Sequence, residues 1–178
     1  MKGKIMEFLI KIVLMLSFSS VLMMAMSTKE SKIGLPAPDV TAIDQDSVEV
    51  NFSEIYKTGL VLVYFYPKAD TPGCTAQACS LRDAFADLQQ DGLTIFGVSS
   101  DGAESQKKFK DKYNLPFRLI ADKDKKVIKA FDVPSMMGFA KRQAFLIKDG
   151  TIIWHDGSAS TDKQAEDVQK QIELLKNK

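Results

Sequence analysis

Cys74 and Cys79 are the chain's whole thiol inventory, and they close the stretch Pro67-Lys-Ala-Asp-Thr-Pro-Gly-Cys-Thr-Ala-Gln-Ala-Cys79. A thiol acts as a nucleophile through its anion, and the residues ahead of Cys74 are of the kind that would make one. Thr71 can cap a helix and Pro72 suits its first turn. Cys74 then falls where unpaired N–H groups and the positive end of the helix dipole favour a thiolate. In this reading Thr71 accepts a backbone N–H as the cap, and its own proton stays free for the sulfur or a substrate oxygen. Gly73 lets the backbone approach closely. Pro67 has no N–H to donate, which helps keep the pocket dry.

The spacing of the two cysteines limits what they can do together. On one helix their α-carbons would lie about 8–9 Å apart, whereas a disulfide needs less than about 7 Å. A static bridge is disfavoured, and a redox cycle fits. Cys74 takes oxygen from a peroxide to become a sulfenic acid, the turn unwinds, and Cys79 condenses with it. Thr75, Ala76, Gln77 and Ala78 between them read as small, weakly anchored residues that unwind readily.

Thiolate formation alone does not make a fast reaction. An ordinary thiol is roughly 3% ionised at neutral pH, so full ionisation gains about thirtyfold, and a lowered pKa also lowers nucleophilicity. Further rate must come from donors that hold the peroxide and stabilise the departing oxygen. Arg142, just ahead of an expected strand, is the leading candidate. Arg82 and Arg118 are rivals that the sequence does not exclude.

The elements that would position these residues follow from periodicity. Val40–Asp44 and Val48–Phe52 suggest a hairpin around Gln45-Asp46-Ser47, though no glycine supports the turn. Leu60–Tyr66 is a continuous β-branched and aromatic run, the mark of a strand buried on both faces. A helix from Thr71 to an exit at Gly92 carries Ala78, Leu81, Phe85 and Leu88 at helical spacing. Leu93–Val98 and Phe117–Ala121 read as strands, and Ala103–Tyr113 and Val127–Phe131 as helices. Ala144–Lys148 and Thr151–Trp154 are strands joined at Asp149-Gly150, a strong hairpin signal. A helix with Ala165, Val168, Ile172 and Leu175 closes the chain. Two parallel crossovers followed by an antiparallel hairpin give an α/β fold, a central mixed β-sheet with helices on both faces. Thioredoxin-like folds are built in this way. Cys74 thus lies where the first central strand ends and a helix begins, a standard place for a site in an open sheet.

The 178 residues, 45% of them hydrophobic and with a formal net charge of +1, suit one domain with a real core and one appended segment. This balance gives no footprint for nucleic acid. Lys2, Lys4 and Lys11 precede an apolar run from Ile12 to Met26, with small residues at Ala25 and Ser27. That pattern marks residues 1–27 as a secretory signal peptide. As a helix the run would span about 22 Å, short of the roughly 30 Å hydrocarbon core. A cleaved leader is therefore preferred to a membrane anchor, and the mature protein would be periplasmic or otherwise exported, with no stable membrane association. Translation from Met23, Met24 or Met26 would instead give a cytoplasmic protein. Residues 28–38 read as a polar lead-in, and residues 39–178 as the domain.

Tyr64-Phe-Tyr-Pro-Lys-Ala-Asp-Thr-Pro-Gly-Cys-Thr-Ala-Gln-Ala-Cys-Ser-Leu-Arg-Asp83 closely resembles the signature of the Q-type peroxiredoxins, also called bacterioferritin comigratory proteins, of the AhpC/TSA family. The likeness runs over roughly residues 34–175, through Phe96-Gly-Val-Ser-Ser-Asp101, Leu119-Ile-Ala-Asp122 and Arg142-Gln-Ala-Phe-Leu-Ile147. The Pro-x-x-x-Thr-x-x-Cys core is highly specific, and a second cysteine five residues on marks the subgroup. The resemblance implies that Pro67, Thr71, Cys74 and Arg142 make a peroxide site and that Cys79 is the resolving thiol. It implies a thioredoxin-dependent peroxidase of hydrogen peroxide and organic hydroperoxides, acting as a monomer without cofactor or metal and recycled by thioredoxin or a similar dithiol. Gln143 departs from the pattern, since a small hydroxyl residue usually follows the arginine, and this bears on how Arg142 is supported. Export would also change which reductant the protein meets.

Two other activities compete. An exported thioredoxin-like disulfide reductase would place its cysteines two residues apart, so that the dithiol closes without unwinding. A copper-handling protein could use Cys74, Cys79 and His155 as a soft S₂N set, but a metal site gives no reason for Thr71 and Pro67.

Overall fold

The computed structural model describes residues 32–177. The leader, anchor and alternative-start readings of residues 1–27 lie outside the described residues, as do residues 28–31. The elements are β1 (Thr41–Ile43), β2 (Glu49–Asn51), α1 (Phe52–Ile55), a 3₁₀ turn (Tyr56–Thr58), β3 (Leu60–Phe65), α2 (Pro72–Asp83), α3 (Phe85–Gln90) and β4 (Leu93–Ser99). They continue with α4 (Ala103–Tyr113), β5 (Arg118–Ala121), α5 (Lys126–Ala130), β6 (Ser135–Met136), β7 (Phe139–Ala140), β8 (Gln143–Lys148), β9 (Thr151–Asp156) and α6 (Gln164–Lys176).

Five strands form the central sheet in the order β5-β4-β3-β8-β9. The helical crossovers force β3, β4 and β5 to run parallel. β8 lies antiparallel to both β3 and β9. At the β8–β9 turn Asp149 and Gly150 take φ of 49° and 74°, the left-handed pair that a tight hairpin demands. The mixed sheet of the expected α/β fold is therefore present, and the side-chain alternation of β3 explains its two layers. Val61, Val63 and Phe65 point to one face, and Leu62, Tyr64 and Tyr66 to the other, all fully buried. The first set packs with Val50, Phe52, Ile120, Val127, Ile128 and Phe145, under β2, α1 and α5. The second packs with Cys74, Ala78, Leu81, Phe109, Val168 and Ile172, under α2, α4 and α6.

Several local expectations change. The β1–β2 hairpin forms without glycine because Asp44 Oδ1 accepts the Asp46 and Val48 N–H groups at 2.9 and 3.0 Å, while Ser47 takes φ of 61°. The single helix expected up to Gly92 breaks at Ala84, whose φ of −93° and ψ of 3° end α2 and start α3. The break leaves Leu81 in the core and sets Phe85 against Phe117, ring centres 6.2 Å apart. Met136 and Met137 are 78% and 89% exposed. They lie on the small hairpin β6–β7, with Met137 at φ 52° beside Gly138. The described end of the lead-in is tied to β9 and its turn. Gly34 N donates to Ile152 O, Ile152 N to Leu35 O, and Ala37 N to Gly150 O.

One close approach shapes the core beneath the site. A Cβ at Gly97 would stand 2.6 Å from the Tyr64 hydroxyl and 2.8 Å from Leu119 Cδ2. Only glycine at this point of β4 admits the Tyr64 ring. The Tyr64 hydroxyl is buried without a hydrogen-bond partner, and burial pushes its pKa well up, so it stays protonated. Gly97→Ala should therefore lower stability by about 1–3 kcal/mol, the usual overpacking penalty. Tyr64→Phe removes an unpaired hydroxyl and should be neutral or stabilising, and it should recover part of the Gly97→Ala loss in the double variant. Urea unfolding midpoints measure both, and a Gly97→Ala midpoint equal to that of the unaltered protein would refute the packing argument.

Candidate active site

The site begins where β3 ends. Tyr66 N still donates to Val98 O of β4 at 3.1 Å, after which Pro67–Thr71 turns the chain into α2. Two ties hold this loop. Ala69 N donates to Asp101 Oδ2 at 2.8 Å, and the same oxygen accepts the Ser99 hydroxyl at 2.7 Å. Asp70, at φ 57°, accepts from Lys112 Nζ at 2.8 Å and from the Tyr113 hydroxyl at 2.7 Å, both on α4. Those bonds fix a left-handed residue at the step where the loop must reverse.

Thr71 stands at the N-cap position with extended backbone, φ −102° and ψ 152°, and its carbonyl accepts the first helical bond from Thr75 N at 2.8 Å. The expected side-chain cap is absent. Thr71 Oγ1 instead donates to Lys68 O at 3.0 Å, because the tight turn brings that carbonyl within reach three residues back. The hydroxyl proton is thus engaged, and the lone pairs of the oxygen are what it has left to offer.

Cys74 lies in the first turn of α2 and is 2% exposed. Arg142 Nη2 approaches its Sγ to 3.4 Å. The approach follows from strand register. β8 pairs with β3 so that Gln143 faces Phe65, and one further step along the same register sets Arg142 beside the chain that leads into Pro67. Gly73 leaves room for the guanidinium, since a Cβ there would stand 3.3 Å from both Arg142 Nη2 and Thr161 Cγ2. Cys74 and Arg142 are therefore together, with Thr71 and Pro67 on the loop that opens onto the same helix end.

The other arginines are engaged elsewhere. Arg82 pairs with Asp83 and donates to Tyr113 O. Arg118 pairs with Asp44 at 2.9 Å. Cys79 lies on the same helix as Cys74, half-buried, and both thiols are free. His155 stacks on Phe145 at 4.4 Å between ring centres, and Phe145 belongs to the core layer opposite that of Cys74. The proposed copper ligands are not assembled. Among the described residues no three of His, Cys, Asp and Glu converge as a metal set. Gln143, 2% exposed, turns its Oε1 to His155 Nε2 at 3.1 Å.

Support for Arg142 comes from Gln77, whose Oε1 accepts from Arg142 Nη1 in a short hydrogen bond. Sequence reasoning missed this residue and took residues 75–78 as weakly anchored. That expectation is overturned by the burial of Gln77 and Ala78, both 0% exposed. Gln77 Nε2 donates onward to Gln164 Oε1 of α6 at 2.8 Å. The available signal was spacing, since a residue three after Cys74 shares its helix face. Asp101, at the carboxyl end of β4, was missed as well.

Comparison with known proteins places this geometry in context. The profile of the AhpC/TSA family matches residues 33–155. The peroxiredoxin Bcp of Bacillus subtilis is 41% identical over 130 residues, 68% of this chain and 82% of that one. The chloroplastic peroxiredoxin Q of Oryza sativa is 46% identical over 102 residues, 57% of this chain. That match spans just under half, 46%, of the rice protein's length. Among solved structures, peroxidoxin BcpB of Mycobacterium tuberculosis superposes with a TM-score of 0.76 at 28% identity, over 82% of this chain and 99% of that one.

The tie from Asp70 to α4 depends on charge. Lys112 and Tyr113 bonded to the carboxylate lower its pKa, so the folded protein binds this proton less readily than the unfolded chain. The contribution is full above the ordinary carboxylate range near pH 4 and is lost as pH falls through the lowered native value. Asp70→Asn should flatten the acid limb of the unfolding midpoint, measured from about pH 6 to about pH 2. An unchanged limb would show that the tie carries nothing, as many exposed pairs do.

Proposed function

The chain belongs to the AhpC/TSA family, in which peroxiredoxin Q and Bcp proteins are its relatives, and on that premise we propose that it is a thiol-dependent peroxidase whose reacting atom is Cys74 Sγ. The observation that carries this reading is the guanidinium 3.4 Å from a buried sulfur in the first turn of a helix. A fixed cation there stays in place to meet negative charge that develops on a departing oxygen.

The reaction runs in three balanced steps. The Cys74 thiolate attacks one oxygen of a hydroperoxide, the O–O bond breaks, and the second oxygen leaves as alkoxide or hydroxide and takes up a proton to become alcohol or water. Thr71 Oγ1, its proton given to Lys68 O, accepts from the hydroperoxide O–H and orients it. Arg142 holds the sulfur and the incoming oxygens, and Pro67 narrows the mouth without offering a donor. Cys74 is then a sulfenic acid. Cys79 attacks it, the S–S bond forms and water leaves, a step that requires α2 to unwind because helical spacing keeps the α-carbons about 8–9 Å apart. Thioredoxin or a similar dithiol restores both thiols by exchange.

Substrates in this reading are hydrogen peroxide and organic hydroperoxides, and the working form is a monomer without cofactor or metal. The basic and then apolar pattern of residues 1–27 supports export and a donor on that side of the membrane. Among the described residues no helix is long and apolar enough to cross a membrane.

Cys74→Ser should abolish peroxide turnover, whereas Cys79→Ser should allow one fast oxidation and then no recycling by dithiol. Counting free thiols after one equivalent of peroxide separates the two, and normal cycling by Cys79→Ser would remove its resolving role. Arg142→Ala should slow peroxide attack by more than the roughly thirtyfold that loss of thiolate alone can explain. Stopped-flow oxidation by peroxide decides this, since a loss of no more than about thirtyfold would remove Arg142 from the transition state.

A further inference from the structure

Two side chains of α2 reach across to the first turn of α6. Gln77 Nε2 donates to Gln164 Oε1 at 2.8 Å, and Ser80 Oγ accepts from Ala165 N at 3.2 Å. Gln77 and Gln164 are both 0% exposed. Gln164 Nε2 has no protein partner, so this amide is kept in the interior with one donor unpaired. Its oxygen serves Gln77, and Gln77 in turn accepts from Arg142. A line of side-chain contacts therefore runs from α6 to the sulfur of Cys74: Gln164, Gln77, Arg142, Cys74.

Gln77 lies inside the stretch that must unwind for Cys79 to reach Cys74. It cannot keep its bonds to Gln164 and Arg142 once that stretch has left the helix. Gln164, on the packed helix α6, stays behind. We propose that Gln164 is a positioning residue that latches α2 closed through Gln77, so that one side chain sets the balance between peroxide attack and disulfide closure. The inference rests on the peroxidase reading above and adds a residue of α6 to its machinery. In the closed form Gln77 holds Arg142 against the sulfur, which favours attack. In the open form Arg142 loses that support and Cys79 gains access.

The sulfenic acid offers a way to read the latch, because its two fates belong to the two forms. In the closed form a second hydroperoxide oxidises it, giving sulfinic acid and alcohol or water. In the open form the Cys79 thiol condenses with it, giving disulfide and water. Gln164→Met keeps the volume and removes the acceptor, leaving Gln77 Nε2 buried and unpaired only while α2 is closed. Met also removes the unpaired Gln164 Nε2, so the net loss is the Gln77–Gln164 hydrogen bond itself, and opening should be favoured by about twofold to tenfold. Gln164→Glu, whose carboxyl burial keeps in the neutral form, retains a carbonyl acceptor for Gln77 and should preserve the latch.

The experiment measures, by mass spectrometry of the full chain under excess hydrogen peroxide, the ratio of sulfinic acid at Cys74 to the Cys74–Cys79 disulfide. Gln164→Met should lower this ratio by the stated factor, and Gln164→Glu should not. Backbone hydrogen exchange in residues 75–80 of the reduced protein should accelerate in Gln164→Met by a comparable factor. A purely structural role would lower the melting temperature while leaving the ratio and the local exchange alone, and that result overturns the latch. If the unaltered protein formed neither oxidised product, the peroxidase reading would fall, and the exchange comparison would still decide whether Gln164 holds α2.

Discussion

The arrangement depends on a single guanidinium that must reach a sulfur 68 residues away in sequence. Antiparallel pairing of β3 with β8 makes this possible, because the start of β8 and the end of β3 lie side by side. The helix that follows β3 then presents its first turn to the same spot. The parallel neighbours β4 and β5 bring their carboxyl ends to this edge of the sheet, as Asp101 after β4 shows, so a residue that precedes a strand, as Arg142 does, reaches it only through an antiparallel partner. The mixed sheet is thus a requirement of the site as well as a way of burying the core.

The second constraint is a conflict built into α2. The helix must be intact to hold Cys74 at its N-terminus, and in the proposed cycle it must open for Cys79. A loosely held helix would satisfy the second demand at the expense of the first. The residues between the cysteines are instead gripped from behind: Ala78 packs in the core with Val168 of α6, and Gln77 is hydrogen-bonded at both ends of its amide. Opening is therefore a change with a definite set of broken contacts, and its equilibrium is set by those contacts more than by helix propensity.

Rigidity around this helix comes from polar residues used sparingly. Asp101 gathers a backbone N–H from the site loop and a hydroxyl from β4. Asp70 ties the loop to α4. Gln106, fully buried, bonds Ser99 Oγ, Ile120 O and the Tyr66 hydroxyl. A buried polar group is tolerated when its bonds are made, and here those bonds join the ends of β3, β4 and β5 below the site. The unpaired exceptions, Tyr64 Oη and Gln164 Nε2 among them, lie close to α2.

Sequence alone was enough for what is local or periodic. The buried run of β3, the Asp149-Gly150 hairpin, the amphipathic α4 and the order of the five central strands each express a backbone preference or a burial pattern within a short window. So does the position of Cys74, because Thr71, Pro72 and Gly73 mark a helix start without reference to the rest of the chain. The fold class and the cysteine pair were therefore legible. Choosing Arg142 over Arg82 and Arg118 could be suggested by its place before a strand, but strand register decides which guanidinium reaches the sulfur. Thr71's hydroxyl was misread because the competing acceptor, Lys68 O, comes near only when the loop is folded. Gln77 was misread as loose for the same kind of reason. Its anchors, Arg142 and Gln164, lie 65 and 87 residues away, and a hydrogen bond between distant residues leaves no periodic trace. Propensity and pattern act along the chain and can be read from it, whereas which donor meets which acceptor is settled only when the sheet and helices pack.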